Sequence, residues 1–174
     1  MLDQTIAEKI KNEFLHNYEE HADAIFRFVY FRTRNRELAL DVTQETYLRT
    51  WKYLAAGNEI QELRAFLYRT AKNLMIDTGK QAATRNTHSL DAFLDAGGDI
   101  EDNTTSSEYD PLDIDRALKL LADLKPPEYR EAIELRFIEE FSPKEIAEIL
   151  GVSENVVSVR INRGIKKLNK LFIS

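Results

Sequence analysis

The chain has 174 residues, of which 43% are hydrophobic and 31% charged, and its formal net charge is −6. It contains no Cys, which excludes disulfides and thiolate metal sites, and it has few Gly and Pro for a protein built from strands and tight turns. No apolar run approaches the roughly 18 residues of a membrane span, and the N-terminus lacks the apolar core of a signal peptide. We therefore expect a soluble, cytoplasmic protein of the all-α class without direct membrane insertion.

Acidic and basic residues are distributed unevenly along the chain. Residues 86–124 contain ten Asp or Glu and two Lys or Arg, whereas residues 160–170 contain five Lys or Arg and no acid. Residues 83–111 are also rich in polar and small residues, so they are predicted to form a flexible acidic linker. This linker joins two small helical domains, residues 1–82 and 112–174, each near the lower size limit for independent folding.

Helical periodicity predicts a long first helix over Thr5 to Arg34 and a second helix over Glu37 to Leu54. The buried stripe of the second helix is predicted to comprise Leu40, Thr43, Tyr47, Trp51 and Leu54. Asn58 followed by Gln61 is typical of an N-cap with a capping box, which would begin a third helix. Because Gly79 is a common residue just beyond a helix, we expect the third helix to end there. In the second domain, Asp113 is predicted to cap the first helix and Pro126-Pro127 to separate it from the next.

The stretch FSPKEIAEILGVSENVVSVRINRG, from Phe141 to Gly164, has the features of a helix-turn-helix. Ser142 and Glu145 form a capping box at the start of its first helix. Gly151 permits the positive φ that the turn requires, and Ser153 caps the second helix. Helix-turn-helix units place their second helix in the major groove of DNA.

The final helix has one apolar and one polar side. At about 100° per residue its buried side is predicted to hold Val157, Ile161, Gly164, Ile165 and Leu168. The residues predicted to contact base edges and phosphates of duplex DNA are Asn155, Val159, Arg160, Asn162, Arg163 and Lys166. The alternative is an amphipathic helix whose cations only stabilise the negative end of its dipole.

A resemblance to a known family is carried by PPEYREAIELRFIEEFSPKEIAEILGVSENVVSVRINRGIKKL. This stretch resembles the C-terminal domain of bacterial RNA polymerase sigma factors of the sigma-70 family, especially the extracytoplasmic-function (ECF) group. The resemblance implies binding to the upstream (minus thirty-five) promoter element. Ser158 stands where the family commonly has Lys, and Val159 where it commonly has a small hydroxyl residue. The promoter sequence therefore does not carry over from the family.

The second helix, LALDVTQETYLRTWKYL, looks like the helix by which these sigma factors bind core polymerase. The resemblance implies that the clamp helices of the largest polymerase subunit contact Asp41, Gln44, Glu45 and Arg49. From the residues alone, Asp41 and Glu45 repel each other beside a Val42 that we expect to be partly exposed. Such a face suits a partner, and the alternative is a solvated charged face.

The third helix, LRAFLYRTAKNLMIDTGK, resembles the promoter-melting segment of the family. Leu67, Ala71 and Leu74 are predicted to pack inward. The residues predicted to contact melted-promoter DNA are Arg69, Lys72, Asn73, Ile76 and Lys80. In the family a loop before this helix, here about Ala56 to Leu63, captures an unstacked base. Phe66 and Tyr68 are either core aromatics or part of this site.

The resemblance implies a sigma factor, which binds RNA polymerase core and directs promoter recognition, DNA melting and transcription initiation. It also implies an anti-sigma protein as a partner, since members of this group are commonly held inactive by one. The alternative is a free-standing helix-turn-helix regulator that binds operator DNA without polymerase, and a third interpretation is a protein-binding adaptor. The acidic linker is either a mimic of nucleic acid inside the polymerase or a solubilising spacer.

No enzyme, metal site or cofactor is expected. His16, His21 and His88 lack the spacing of metal ligands, and the chain has neither a phosphate-binding Gly loop nor a nucleophile elbow.

Overall fold

The structure, a computed structural model, describes the backbone of residues 4–85 and 111–173, with side chains described for residue 5 and for residues 8–79 and 116–173. These described ranges are helical and contain no strand, in agreement with the predicted all-α class. The chain divides into two compact units, Met1–Ile100 and Glu101–Ser174. Most of the predicted linker, together with His88, lies outside the described residues. Within the described ranges no helix combines the length and the apolar character that crossing a membrane requires.

The N-terminal unit is built from α1 (Gln4–Thr33), α2 (Arg36–Ala55) and α3 (Leu63–Arg85). Ring contacts join the three helices. The ring centroids of Phe14 and Trp51 are 5.2 Å apart, those of Tyr53 and Phe66 are 5.1 Å apart, and those of Phe28 and Tyr68 are 4.8 Å apart. The helix α2 therefore runs back along α1, and α3 packs on both helices.

The buried side of α2 differs from the predicted stripe. Its buried residues are Ala39, Val42, Thr43, Thr46, Tyr47 and Thr50. Leu40 is 42% exposed, so its place in the stripe is wrong, and Val42 is 4% exposed, so the expectation that it is partly exposed is wrong as well. The reason is that buried threonines satisfy their hydroxyl groups within the helix: Thr46 Oγ1 donates to the Val42 carbonyl at 2.7 Å, and Thr50 Oγ1 to the Thr46 carbonyl at 2.8 Å.

Both predicted ends of α3 are wrong. The helix begins at Leu63, and Asn58 caps the preceding helix instead, since its Nδ2 donates to the Tyr53 carbonyl at 3.0 Å. At the other end α3 continues through Gly79 to Arg85, and Gly79 does not adopt a positive φ. A single Gly in a helix costs only about 1 kcal/mol, so the helical turns on either side can continue through Gly79.

The C-terminal unit contains α4 (Pro111–Ala122), α5 (Pro127–Ile133), α6 (Pro143–Leu150) and α7 (Glu154–Ile173), and α5 continues as one π-helical turn over Glu134–Ile138. The helix α4 begins at Pro111, so the prediction that Asp113 caps it is wrong; Pro fits the first helical turn because it needs no amide partner there. Leu121, Leu124 and Ile133 form a buried cluster on which Ile165 and Leu168 of α7 pack.

The helix α7 approaches α5 closely at Gly164. A Cβ atom at that position would lie 2.6 Å from Ile133 Cδ1 and 3.2 Å from Tyr129 Cβ. Gly164 is buried, as predicted, and the absence of its side chain is what lets the two helices pack at this distance. The contact fixes the position of α7 in its unit.

Local chemistry determines the helix-turn-helix as predicted. The Ser142 hydroxyl accepts from the Glu145 amide at 3.3 Å, and the Glu145 carboxylate accepts from the Ser142 amide at 2.8 Å. Gly151 ends α6 with a φ of 67°, and the Ser153 hydroxyl accepts from the Val156 amide at 3.3 Å to cap α7. These bonds, rather than distant packing, set where each helix starts.

Candidate nucleic-acid and protein interfaces

The first candidate interface is the exposed side of α2, which we call the α2 face. It comprises Leu40, Asp41, Gln44, Glu45, Leu48 and Arg49. All are exposed except Glu45, which is half-buried at residue level. The predicted protein-binding residues therefore lie on one continuous surface, opposite the buried threonines.

Charges on the α2 face are only partly paired. Arg49 Nε lies 2.7 Å from Glu45 Oε1, which is the predicted pair one helical turn apart. Asp41 forms no ion pair with any residue that the structure describes. A partner that brings a cation to Asp41 would therefore gain a charge-assisted bond without breaking one.

Sequence reasoning missed two apolar members of the α2 face. Leu40 and Leu48 are 42% and 46% exposed and lie on either side of Gln44 along the helix. Leu is usually buried in a helix, so the residue type gave no indication that Leu40 and Leu48 are exposed. Their positions did give one, because both lie four residues from Gln44 and therefore share its helix face. Exposed leucines within a charged surface are typical of a protein contact.

The second candidate interface lies on α3. Its predicted inner side is confirmed, since Leu67, Ala71 and Leu74 are buried. Tyr68 is fully buried and packs on Phe28, so this aromatic belongs to the core. Phe66 is half-buried against Tyr53.

The predicted DNA-contacting residues of α3 are not all equally accessible. Arg69, Asn73 and Ile76 are exposed, whereas Lys72 is half-buried. Lys80 lies in the helix, but its side chain is outside the described set. The accessible part of this surface therefore follows one side of α3 over two turns, from Arg69 to Ile76.

The third candidate interface is the outer side of α7. Its inner side agrees with the helical periodicity of the sequence: the buried residues are Val157, Ile161 and Gly164, and the half-buried ones are Ile165 and Leu168. Five predicted DNA-contacting residues are exposed: Asn155, Val159, Asn162, Arg163 and Lys166. Arg160 is half-buried and borders this surface. Sequence reasoning missed Val156, which is 38% exposed beside Val159.

One cation of α7 already has a structural role. Lys167 Nζ donates to the Lys125 carbonyl at 2.8 Å and lies 5.5 Å from the centroid of the Tyr129 ring. Lys167 therefore ties α7 to the residue that precedes Pro126 and Pro127 at the start of α5. The exposed cations that remain on the outer side are Arg163, Lys166 and Lys170.

The titratable groups with shifted pKa values, Tyr47 and His21, lie away from these three interfaces, where α1 packs on its neighbouring helices. Burial raises the pKa of Tyr47 well above its usual range, and its hydroxyl finds no hydrogen-bond partner within the described part of the chain. Burial also lowers the pKa of His21, against the opposing effect of Glu20. The Nε2 atoms of His16 and His21 lie 3.9 and 3.8 Å from Glu20 Oε2. The described residues contain no group of three or more potential metal ligands.

Comparison with known families assigns a match to each unit. The family described as sigma-70 region 2 matches residues 18–85, and the family described as sigma-70 region 4 matches residues 114–168. The ECF RNA polymerase sigma factor SigL of Mycobacterium tuberculosis is 31% identical over 152 residues, which cover 87% of this chain and 84% of the relative. The ECF RNA polymerase sigma factor SigW of Bacillus subtilis is 30% identical over 161 residues, covering 86% of this chain and 83% of the relative.

Solved structures share the fold. The sigma factor RpoE of Bartonella quintana, solved with the anti-sigma factor NepR, aligns with a TM-score of 0.68 at 21% identity and covers 92% of this chain and 96% of its own. CnrH, solved with the cytosolic domain of CnrY, aligns with a TM-score of 0.63 at 24% identity and covers 93% of this chain and 88% of its own. At these identities the likeness concerns the fold alone.

Proposed function

This chain belongs to the ECF RNA polymerase sigma factors, and on that premise we propose that it binds RNA polymerase core through the α2 face and carries it to promoters. A sigma factor is a transcription initiation factor, and the proposal assigns it no catalysis of its own. The clamp helices of the largest polymerase subunit are the proposed partner of Asp41, Gln44, Glu45 and Arg49. The proposal places the protein in the cytoplasm, with the polymerase.

The observation that carries the proposal is the composition of the α2 face. Two exposed leucines flank an amide on α2, and the adjacent Asp41 carboxylate has no ion pair among the described residues. Apolar side chains supply binding energy when a partner covers them, and the charges around them set orientation and specificity. A regulator that acts without polymerase has no evident use for this surface.

We assign the melting of promoter DNA to α3. Arg69 supplies a cation for the backbone of a separated strand, and Asn73 supplies an amide for a base edge. Ile76 is 43% exposed and can pack on an unstacked base. Stabilising the separated strands shifts the equilibrium toward an open promoter, because the unpaired bases are then bound by the protein.

We assign recognition of upstream duplex DNA to α7. Asn155, Asn162 and Arg163 can hydrogen-bond base edges, and Lys166 can bind a phosphate. Val159 is 37% exposed and suits contact with a thymine methyl group. Without the polymerase this single helix offers few phosphate contacts, which makes it a weak binder alone.

An anti-sigma protein is the partner we propose for regulation. Each unit exposes large apolar side chains, including Leu40 and Leu48 on α2 and Phe137 and Ile138 after α5. Exposed apolar patches mark sites of protein–protein contact. Occupation of the α2 face would exclude core polymerase directly.

Run-off transcription tests the proposed function. Purified core polymerase is supplied with genomic DNA fragments, with and without the purified chain, and the transcripts are sequenced. We expect discrete start sites only when the chain is added. An Asn162→Ala/Arg163→Ala variant should still bind core polymerase but lose these starts, because each lost base contact costs about 1–3 kcal/mol.

Two results would contradict the proposal. Transcripts that are unchanged by addition of the chain would remove the initiation role. If adding the chain instead represses transcripts that the polymerase produces without it, the free-standing regulator would be favoured.

A further inference from the structure

A basic and aromatic surface lies where α1 meets α2. The segment from Phe26 to Glu37 contains four Arg and one Glu, in a chain whose net charge is −6. Arg27, Arg34 and Arg36 are exposed, and none of them forms an ion pair with a residue that the structure describes. We call these three residues, together with Phe31, the arginine corner.

Aromatic rings lie beside two of these guanidinium groups. Arg34 Cζ is 5.6 Å from the ring centroid of Phe31, and Arg36 Cζ is 5.8 Å from that of Phe26. An arginine beside a ring retains N–H groups that can bind a phosphate. Phe31 is itself 46% exposed and offers a surface on which an unpaired base can stack.

The backbone at Arg34 supports a role for its side chain outside the fold. Arg34 has a φ of 50°, a left-handed conformation that favours Gly over residues with a Cβ atom. Packing does not require a side chain here, because Arg34 is exposed. By contrast, Arg32 serves the fold: its Nη1 donates to the Phe28 carbonyl at 3.0 Å, and its Cζ lies 3.7 Å from the Phe28 ring centroid.

The arginine corner lies within one helical turn of a contact between α1 and α3. The ring centroids of Phe28 and Tyr68 are 4.8 Å apart. Phe31 follows Phe28 by three residues, and Asn73 follows Tyr68 by five residues, which is about 7.5 Å along the helix axis. The corner also includes the N-terminus of α2, whose dipole adds positive potential.

We propose that the arginine corner binds single-stranded DNA, with the three arginines on phosphates and Phe31 stacked on an unpaired base. The inference rests on the function proposed above, because the strand it binds is the separated strand assigned to α3. Single-stranded DNA is favoured over duplex because duplex DNA offers no unstacked base to Phe31. It is favoured over an acidic protein because the rings beside the cations suit nucleobases.

A binding assay without polymerase tests this proposal. The full chain is titrated against fluorescent poly-dT, and fluorescence anisotropy is measured between about 50 and 200 mM salt. For Arg34→Gln/Arg36→Gln we expect weaker binding and a salt slope lower by about 1.4, since each single-strand phosphate contact contributes about 0.7. The matched control is Lys9→Gln/Lys11→Gln, which removes the same charge from exposed positions near the other end of α1 and should leave the slope unchanged.

A second variant separates stacking from charge. Phe31→Ala should weaken binding by about tenfold while leaving the salt slope unchanged, because stacking releases no counterions. Leu15→Ala is the matched control, since Leu15 is 50% exposed on the same helix and lies away from the corner. We expect this control to bind like the unmodified chain.

Three results would overturn the proposal. The first is unchanged poly-dT binding by both corner variants, and the second is an equal loss in their controls. The third is loss of binding to core polymerase by Arg34→Gln/Arg36→Gln with poly-dT binding intact, which would assign the corner to a protein partner. Since poly-dT binding requires no polymerase, failure here is distinguishable from failure of the run-off experiment.

Discussion

We expect replacement of Asp41 and Glu45 by Lys to abolish association with core polymerase and to leave both units folded. Each substitution places a cation where the α2 face now presents a carboxylate, and like charges across an interface cost several kcal/mol, equivalent to a loss of roughly 100-fold or more in affinity. Within the chain the cost is small because both side chains are at least partly exposed. The lost Glu45–Arg49 pair and the new repulsion from Arg49 each cost only about 0.2–0.5 kcal/mol. Co-purification with tagged core polymerase measures the loss.

The matched control is Glu19→Lys/Asp23→Lys on α1. These two exposed acids have the same spacing on a helix and undergo the same change of charge, but they lie off the α2 face. We expect this variant to bind core polymerase normally. Survival of binding in the Asp41/Glu45 variant, or equal loss in the control, would show that the α2 face is not the contact.

We expect one added methyl group at Gly164 to destabilise the C-terminal unit by about 1–3 kcal/mol. The new Cβ would lie 2.6 Å from Ile133 Cδ1 and 3.2 Å from Tyr129 Cβ, so side chains at the contact between α5 and α7 must shift. Urea unfolding followed by circular dichroism measures the effect of Gly164→Ala. Trp51 is the only Trp and lies in the N-terminal unit, so its fluorescence transition should stay where it is.

Two further variants test the physical cause. Ile133→Val removes the atom nearest to the new methyl group, so the double variant should lose less stability than the sum of the two single variants. Gly79→Ala serves as the control, because nothing lies within 4 Å of a Cβ at that helical position. It should stabilise the N-terminal unit by about 0.5–1 kcal/mol. A destabilised Gly79→Ala together with a neutral Gly164→Ala would contradict this account of the packing.

Features fixed by short-range chemistry could be predicted from the sequence. The capping box of Ser142 and Glu145, the positive φ of Gly151 and the cap at Ser153 all form as predicted. Each involves residues only a few positions apart, so the sequence contains both partners of every bond. The apolar side of α7 followed from periodicity for the same reason.

Features decided by tertiary packing could not be predicted from the sequence. Thr46 and Thr50 are not in the predicted stripe of α2, yet both are fully buried, with their hydroxyl groups bonded within the helix. The π-helical turn after α5 and the positive φ of Glu140 bring Phe141 into the core, and no local pattern indicates that turn. The candidate interfaces were predictable as helix faces, whereas the exposure of Leu40 and Leu48 depends on which side of α2 meets α1 and α3.

We propose that the two units act on promoter DNA only when polymerase holds them together. The most direct test measures the affinity of the chain for a promoter fragment from the run-off experiment, with and without core polymerase, at the same salt concentration. We predict weak binding without sequence preference for the chain alone and specific binding of the same fragment in the presence of core. Tight, sequence-specific binding by the chain alone that core polymerase leaves unchanged would contradict the claim.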